Sequence, residues 1–231
     1  MVRHILVFGA TGATGRTFTR IALARSDPPA LTLYVRSRAK LELSPDEEKR
    51  VRIVEGGLTD ENMLREAVSG GVDAVVSFLG AYVSLSAFLL RTKTTPIADS
   101  FPTILSIMRE SGVRRILVLS TPSFAPPPPA TELLPLKWSL YGMFPKIAAP
   151  QGNAEMVEIA QTVARADDLD WTVFRVPILT DEDADLPLAV GLLGPEFQGG
   201  LQVSRRSIAN WMLDELEAGV WIKQAPVLAN Y

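Results

Sequence analysis

In "ILVFGATGATGR" the glycines Gly9, Gly12 and Gly15 stand three residues apart, after an apolar run and before a segment of helical character. Glycine permits a tight turn and close backbone approach, and the free N–H groups at a helix start attract phosphate. The spacing is G-x-x-G-x-x-G rather than the G-x-G-x-x-G of dinucleotide sites, so its place between strand and helix carries the information. About twenty residues on, where such sites read the adenosine ribose, the chain has "YVRSRAK". No Asp or Glu follows that run, but Arg36, Ser37, Arg38 and Lys40 do. A carboxylate would pair with a free 2′-hydroxyl, whereas guanidinium groups and a hydroxyl suit a 2′-phosphate, so the expected cofactor is NADP(H) rather than NAD(H). Solvated surface arginines are the alternative. "EGGLTDEN" adds Gly56, Gly57 and Leu58 as a small apolar surface for a flat ring, with Thr59 or Asp60 able to cap the next helix. "SFLGA" ends another run at Gly80, where backbone can approach a ligand.

A nicotinamide cofactor implies hydride transfer to an acceptor that some donor must protonate or polarise. Ser120 ends the run "RILVLS", but a serine alone is a poor acid. "YGMFPK" supplies Tyr141 and Lys146, separated by four residues rather than the three of a Tyr-x-x-x-Lys dyad, with Pro145 between them. On a helix this sets the lysine about 140° round the axis from the tyrosine, and proline disfavours an unbroken helix there. Ser120, Tyr141 and Lys146 are the catalytic candidates, with structural roles for Tyr141 and Lys146 as the alternative. His4, the only histidine, reads as an edge or core residue of the first strand. "DEDAD" (181–185) reads as a solvated acidic loop, and no cluster has metal-ligand spacing. In "QGNAEMVEIA", Gln151 and Asn153 read as cleft residues and Glu158 as surface.

The elements that must hold these residues recur along the chain. Near-continuous apolar runs at 4–8, 31–35, 51–55, 73–79, 115–120 and 171–176 suit strands covered on both faces. Between them, residues 97–111 and 153–165 carry apolar stripes at helical spacing, and a late helix over 205–217 follows an N-cap at Ser204 and stops at Gly219. Alternation of strand and helix predicts a doubly wound, mostly parallel α/β sheet with a small C-terminal substrate-side lobe, all in one domain over 1–231. Segments 81–95, 121–150 and 177–200 break the alternation and read as loops on the substrate side. "PPPP" at 126–129 reads as a stiff loop or lid.

Composition narrows the partners. A net charge of −3 with dispersed basic residues argues against nucleic acid. The absence of cysteine excludes disulfides, thiolate metal sites and a cysteine nucleophile, and fits a reducing compartment. The opening apolar run is too short for a signal peptide, and the longest apolar stretch is broken by Asp73, Gly80 and serines. A cytoplasmic chain without a membrane span is expected.

Taken in order, "VFGATGATGR", "EGGLTDEN", "VVSFLGA", "GVRRILVLST" and "DLDWTVFRVP" resemble the atypical short-chain dehydrogenase/reductases with an NAD(P)H-binding domain. That group includes NmrA-like proteins and the biliverdin IXβ/flavin reductases, and the resemblance covers about residues 2–220. It implies a Rossmann fold with Thr11, Gly12, Ala13 and Thr14 at the pyrophosphate, Arg36 and Arg38 at the 2′-phosphate, and Leu58 beside adenine. It further implies that Leu79, Gly80, Ser120, Val176 and Pro177 approach the nicotinamide ribose or ring. The substrate-side histidine of the biliverdin/flavin reductases is replaced near Ile178. The leading expectation is an NADPH-dependent oxidoreductase acting on a small conjugated or aromatic carbonyl, quinone or flavin-like compound. A non-catalytic NADP(H) sensor of NmrA-like type, with a protein partner, and an isomerase or dehydratase on the same fold are the alternatives.

Overall fold

A computed structural model describes residues 2–80, 95–182 and 186–231, the side chains of 144–148 excepted. Six parallel strands form the body of the sheet: β1 (His4–Phe8), β2 (Ala30–Val35), β3 (Val51–Glu55), β4 (Ala74–Ser77), β5 (Arg115–Ser120) and β6 (Asp170–Arg175). Their order, β3-β2-β1-β4-β5-β6, is that of a Rossmann sheet, and it reverses between β1 and β4. Four shorter strands follow: β7 (Ile178–Thr180), β8 (Leu188–Gly191), β9 (Gln202–Ser204) and β10 (Val227–Asn230). β10 joins the sheet parallel to β6, β8 closes it antiparallel, and β7 and β9 pair apart as a two-stranded sheet.

Alternation along each buried strand feeds two cores, because successive side chains leave opposite faces. Leu6 and Phe8 of β1 meet α3 (Glu61–Val68), α4 (Phe101–Glu110) and α6 (Pro150–Ala164) through Leu64, Ile104 and Ile159. Ile5 and Val7 face α1 (Ala13–Ala24) and α7 (Arg205–Ala218) through Phe18, Ile208 and Met212. Among the described residues the remaining α-helices are the single turn α2 (Pro45–Glu48) and α5 (Leu136–Ala148). Caps fall where side-chain chemistry puts them. The Asp60 side chain, not that of Thr59, accepts from the Met63 amide and starts α3. Ser204 accepts from the Ser207 amide at the start of α7, and Gly219, at φ 62°, ends it.

Two of the expected loops contain regular structure. Segment 121–150 holds α5, which runs through Pro145 and stops three residues later at Ala148. The helix is hard to see in sequence because its apolar residues with described side chains form no buried stripe: Leu136, Leu140 and Met143 face solvent while Trp138 is buried. Trp138 fills a small third core with Leu193, Val227 and Ala229. Segment 177–200 holds β7 and β8, strands of three and four residues, too short for periodicity to register. The expected loop 81–95 lies outside the described residues except for Thr95. His4 sits in central β1 at the end opposite the crevice, with Nε2 at 2.8 Å from Thr32 Oγ1.

Candidate functional site

Beyond the carboxyl ends of β1 and β4, where the strand order reverses, lies a cavity of about 490 Å³. Its floor is the glycine turn. Gly9 takes φ 78°, a conformation other L residues rarely adopt, and its carbonyl accepts from the Gly12 amide at 3.0 Å. A Cβ on Gly15 would overlap the Gly9 carbonyl oxygen and lie 2.9 Å from Ala10 Cα, so only glycine lets α1 start this close to β1. Gly12 caps α1 without a side-chain hydrogen bond, which leaves the amides of Ala13, Thr14 and Gly15 turned out without partners among the described residues. Gly9, Thr11, Gly12, Ala13, Thr14 and Gly15 all line the cavity.

At the end of β2, Arg36 lines the same cavity, with no side-chain hydrogen bond or ion pair among the described residues. Arg38 is turned elsewhere: its Nε donates to Glu48 Oε1 at 2.8 Å and its amide to Glu55 Oε2 at 2.7 Å. Neither Arg38 nor Ser37 is part of the lining, and neither is Gly57, whose carbonyl accepts from the Tyr34 hydroxyl at 2.7 Å. The glycine that the fold requires there is Gly56, where a Cβ would meet the Tyr34 hydroxyl and Met63. Tyr34 itself lines the cavity beside Leu58, its phenol pushed up to about 12 by burial and then by the charge of Asp60.

The opposite wall combines Leu79, Gly80, Leu119, Thr121, Tyr141, Asn153, Met156, Val176, Pro177, Leu179 and Arg205. Ser120 is not among them: it is fully buried, and its hydroxyl donates to the Met156 carbonyl at 3.0 Å. Strand alternation is the reason, since the last residue of β5 points into the packing of α6, and the hydroxyl that reaches the cavity is that of the next residue, Thr121. Thr121 Oγ1 lies 2.7 Å from Ser123 Oγ, which donates to Asn153 Oδ1 at 2.5 Å. Tyr141 packs edge-on against Trp138 at 5.9 Å, and burial raises its phenol above the ordinary tyrosine value. The Lys146 side chain lies outside the described residues.

The chain belongs to the NAD(P)H-binding family. The model of that family matches residues 9–218, from the glycine turn to the end of α7. A short-chain dehydrogenase/reductase from Veillonella parvula in complex with NADP shares the fold at a TM-score of 0.74 and 20% identity, over 100% of this chain and 95% of that one. The anaerobillin reductase ChuY from Escherichia coli O157:H7 does so at 0.72 and 18%, over 98% and 97%. The oxidoreductase ylbE from Lactococcus lactis follows at 0.69 and 16%, over 99% and 91%. No curated protein matches the chain.

The residues present fit the family's coenzyme. Unpartnered amides at the start of α1 suit a diphosphate, and the Gly9–Gly15 contact leaves no side chain in its way. Among the described residues, no group of three or more His, Cys, Asp and Glu could hold a metal ion, and no helix is long and apolar enough to cross a membrane. Within "DEDAD", Asp181 pairs with Arg205, and residues 183–185 lie outside the described residues.

Two acids to which the sequence assigned no role hold the wall in place. Glu132 takes both Arg175 Nη1 at 2.9 Å and Nη2 at 2.5 Å, while the Leu193 amide donates to it at 2.7 Å. Arg175 is fully buried and also donates to the carbonyls of Ala225 and Phe124. This knot fastens segment 121–135 to the end of β6. Glu155, only 1% exposed, accepts from the amides of Ile97 and Ala98 and ties α6 to the turn before α4. Burial raises its carboxyl, and the two amides pull it part of the way back. Glu158 is partly exposed. Thr121, Met156, Leu179 and Arg205 gave no sequence signal, because each reaches the cavity only through the packing of distant elements.

Proposed function

We propose that this chain is an NADPH-dependent reductase of a small conjugated or aromatic carbonyl, quinone or flavin-like compound, working in the cytoplasm. The observation that carries this reading is one cavity joining unpartnered helix-start amides and Arg36 to an apolar pocket that holds Tyr141 and Asn153. When bound, NADPH supplies a hydride, so a carbonyl acceptor takes that hydride and one proton to give an alcohol and NADP+. The chain's own residues bind, orient and protonate. The amides of Ala13, Thr14 and Gly15 hold the diphosphate, and Arg36 holds the 2′-phosphate with a charge-assisted hydrogen bond. Leu79, Leu119, Met156 and Val176 exclude water from the reacting face. Burial keeps the Tyr141 phenol protonated through neutral pH, so it donates to the acceptor oxygen rather than acting as a base. Asn153, its Oδ1 engaged by Ser123, is the second polar group facing the acceptor. Stopped-flow loss of NADPH absorbance against a panel of quinones, flavins and aromatic ketones tests this. Turnover of at least one acceptor, faster with NADPH than NADH, is expected; tight coenzyme binding without turnover of any acceptor overturns it.

One observation favours a second reading, an NADP(H) sensor of NmrA-like type. Leu133, Leu134, Leu136, Leu140 and Met143 are exposed on and beside α5, the helix that carries Tyr141 into the cavity. Such an apolar face suits a protein partner. A partner whose capture changes between NADP+ and NADPH, together with zero turnover, would favour the sensor over the reductase.

A further inference from the structure

Arg36 and Arg205 are the charged residues of the cavity lining, and no carboxylate joins them among the described residues. Arg36 belongs to the coenzyme wall. Arg205 does not: it follows β9, whose Ser204 pairs with Thr180 of β7, so it enters from the substrate-side lobe. Its side chain is 17% exposed, and its Nε is buried without any hydrogen-bond partner among the described residues. Among the described residues its one ion pair runs from Nη1 to Asp181 Oδ1 at 2.5 Å, and Asp181 is 81% exposed. A pair with so exposed a carboxylate contributes little, whereas a buried guanidinium N–H without an acceptor carries its full desolvation cost. Among the described residues Nη2 makes no hydrogen bond either, and the Nε–Nη2 edge has the fork geometry that binds a planar oxyanion through two parallel hydrogen bonds.

We infer that Arg205 anchors a carboxylate of the substrate, which makes the substrate an acidic conjugated or aromatic carbonyl compound. This rests on the reductase reading and narrows its substrate class. The diphosphate of the coenzyme is the other source of an oxyanion near the start of α7, and the experiment separates the two.

Terephthalaldehydic acid and its methyl ester present one ring and one aldehyde, with and without the negative charge. With the full chain and NADPH, kcat/KM for the acid is expected to exceed that for the ester by about tenfold, the effect of one charge-assisted hydrogen bond. Arg205→Met is expected to bring that ratio close to one. Arg205→Lys, which keeps the charge and loses the fork, is expected to retain an intermediate ratio. Calorimetric NADP+ affinity of both variants is expected to stay within about twofold of the parent, which also shows that they fold. A preference for the acid that survives Arg205→Met overturns the inference, and so does a loss of NADP+ affinity in that variant. If neither aldehyde is turned over, the acceptor panel decides the reductase reading, and titration of acid and ester into the NADP+ complex decides the anchor alone. Selective binding of the acid, lost in Arg205→Met, supports it; equal binding of acid and ester by the parent chain overturns it.

Discussion

The wall of the cavity built by β1, α1 and the end of β2 and the wall built by β6, α5 and segment 121–135 face one another, yet they are held by different forces. The first is local and made of backbone: the turn from Gly9 to Gly15 is fixed by one positive φ, one amide-to-carbonyl bond and one approach too close for a Cβ. The second is made of side chains from far apart in sequence, with Arg175 gripping Glu132 across a separation of 43 residues and Ser123 bonded to Asn153 across 30. Backbone recognition suits a ligand that never varies, because side chains can change around it. Side-chain recognition suits an acceptor that differs from one family member to the next.

The sharpest way to break this contrast is Gly15→Val. The added side chain has backbone on its far side and nowhere to move. We expect coenzyme affinity to fall by about two orders of magnitude or more and the melting temperature to drop with it, read by calorimetry and circular dichroism. Retained affinity would mean that the amides of α1 are not the binding surface.

Glu132→Ala strikes the other wall. It leaves the Arg175 guanidinium buried without a counter-ion, a change that typically costs about 3–5 kcal/mol, measurable by urea unfolding. In the folded variant NADP+ affinity should stay within about threefold, while KM for the acceptor rises. Equal damage to both would show that the two walls are one unit.

Tyr141→Phe removes the donor and keeps the ring against Trp138. A fall of about a hundredfold in kcat with little change in coenzyme affinity is expected. Because burial raises the phenol, the parent enzyme should show no tyrosine-dependent loss of rate through neutral pH, with the decline starting only above the ordinary value of 10.0. A decline centred near neutral pH that disappears in the variant would assign the phenol a different role.

Glu155→Gln should have the smallest effect. The folded protein holds this proton more tightly than the unfolded chain, so the contribution of Glu155 to stability is full below the ordinary value of 4.5 and is lost as pH rises through the raised one. The glutamine variant carries no such titration. Its melting temperature should gain no more than a few degrees on the parent as pH rises through that raised value. Parallel curves would mean that the two amides outweigh burial.

The same contrast explains what could be read from the residues. The glycine turn, the parallel strands and the capped helix α7 were legible because each depends on neighbours within a few positions, and spacing records that. The doubly wound, mostly parallel sheet followed from the alternation of strand and helix. Ser120 was misplaced by one residue, since a strand's last residue and the residue after it face opposite ways. Helix α5 was missed because Trp138, its one deeply buried residue among those described, packs against residues that arrive from beyond position 190. Arg38 looked equal to Arg36 until Glu48 and Glu55 were seen to claim it. Nothing in one strand-turn segment announces an ion pair with another.

The central claim is that the start of α1 and Arg36 together form an NADP(H) site. Calorimetric titration of NADP+ and NAD+ into the full chain and into Arg36→Ala tests it most directly. NADP+ should bind the parent at least about tenfold more tightly than NAD+, and Arg36→Ala should erase the difference while leaving NAD+ affinity as it was. Equal affinity for the two dinucleotides in the parent chain, or no binding of either, would contradict it.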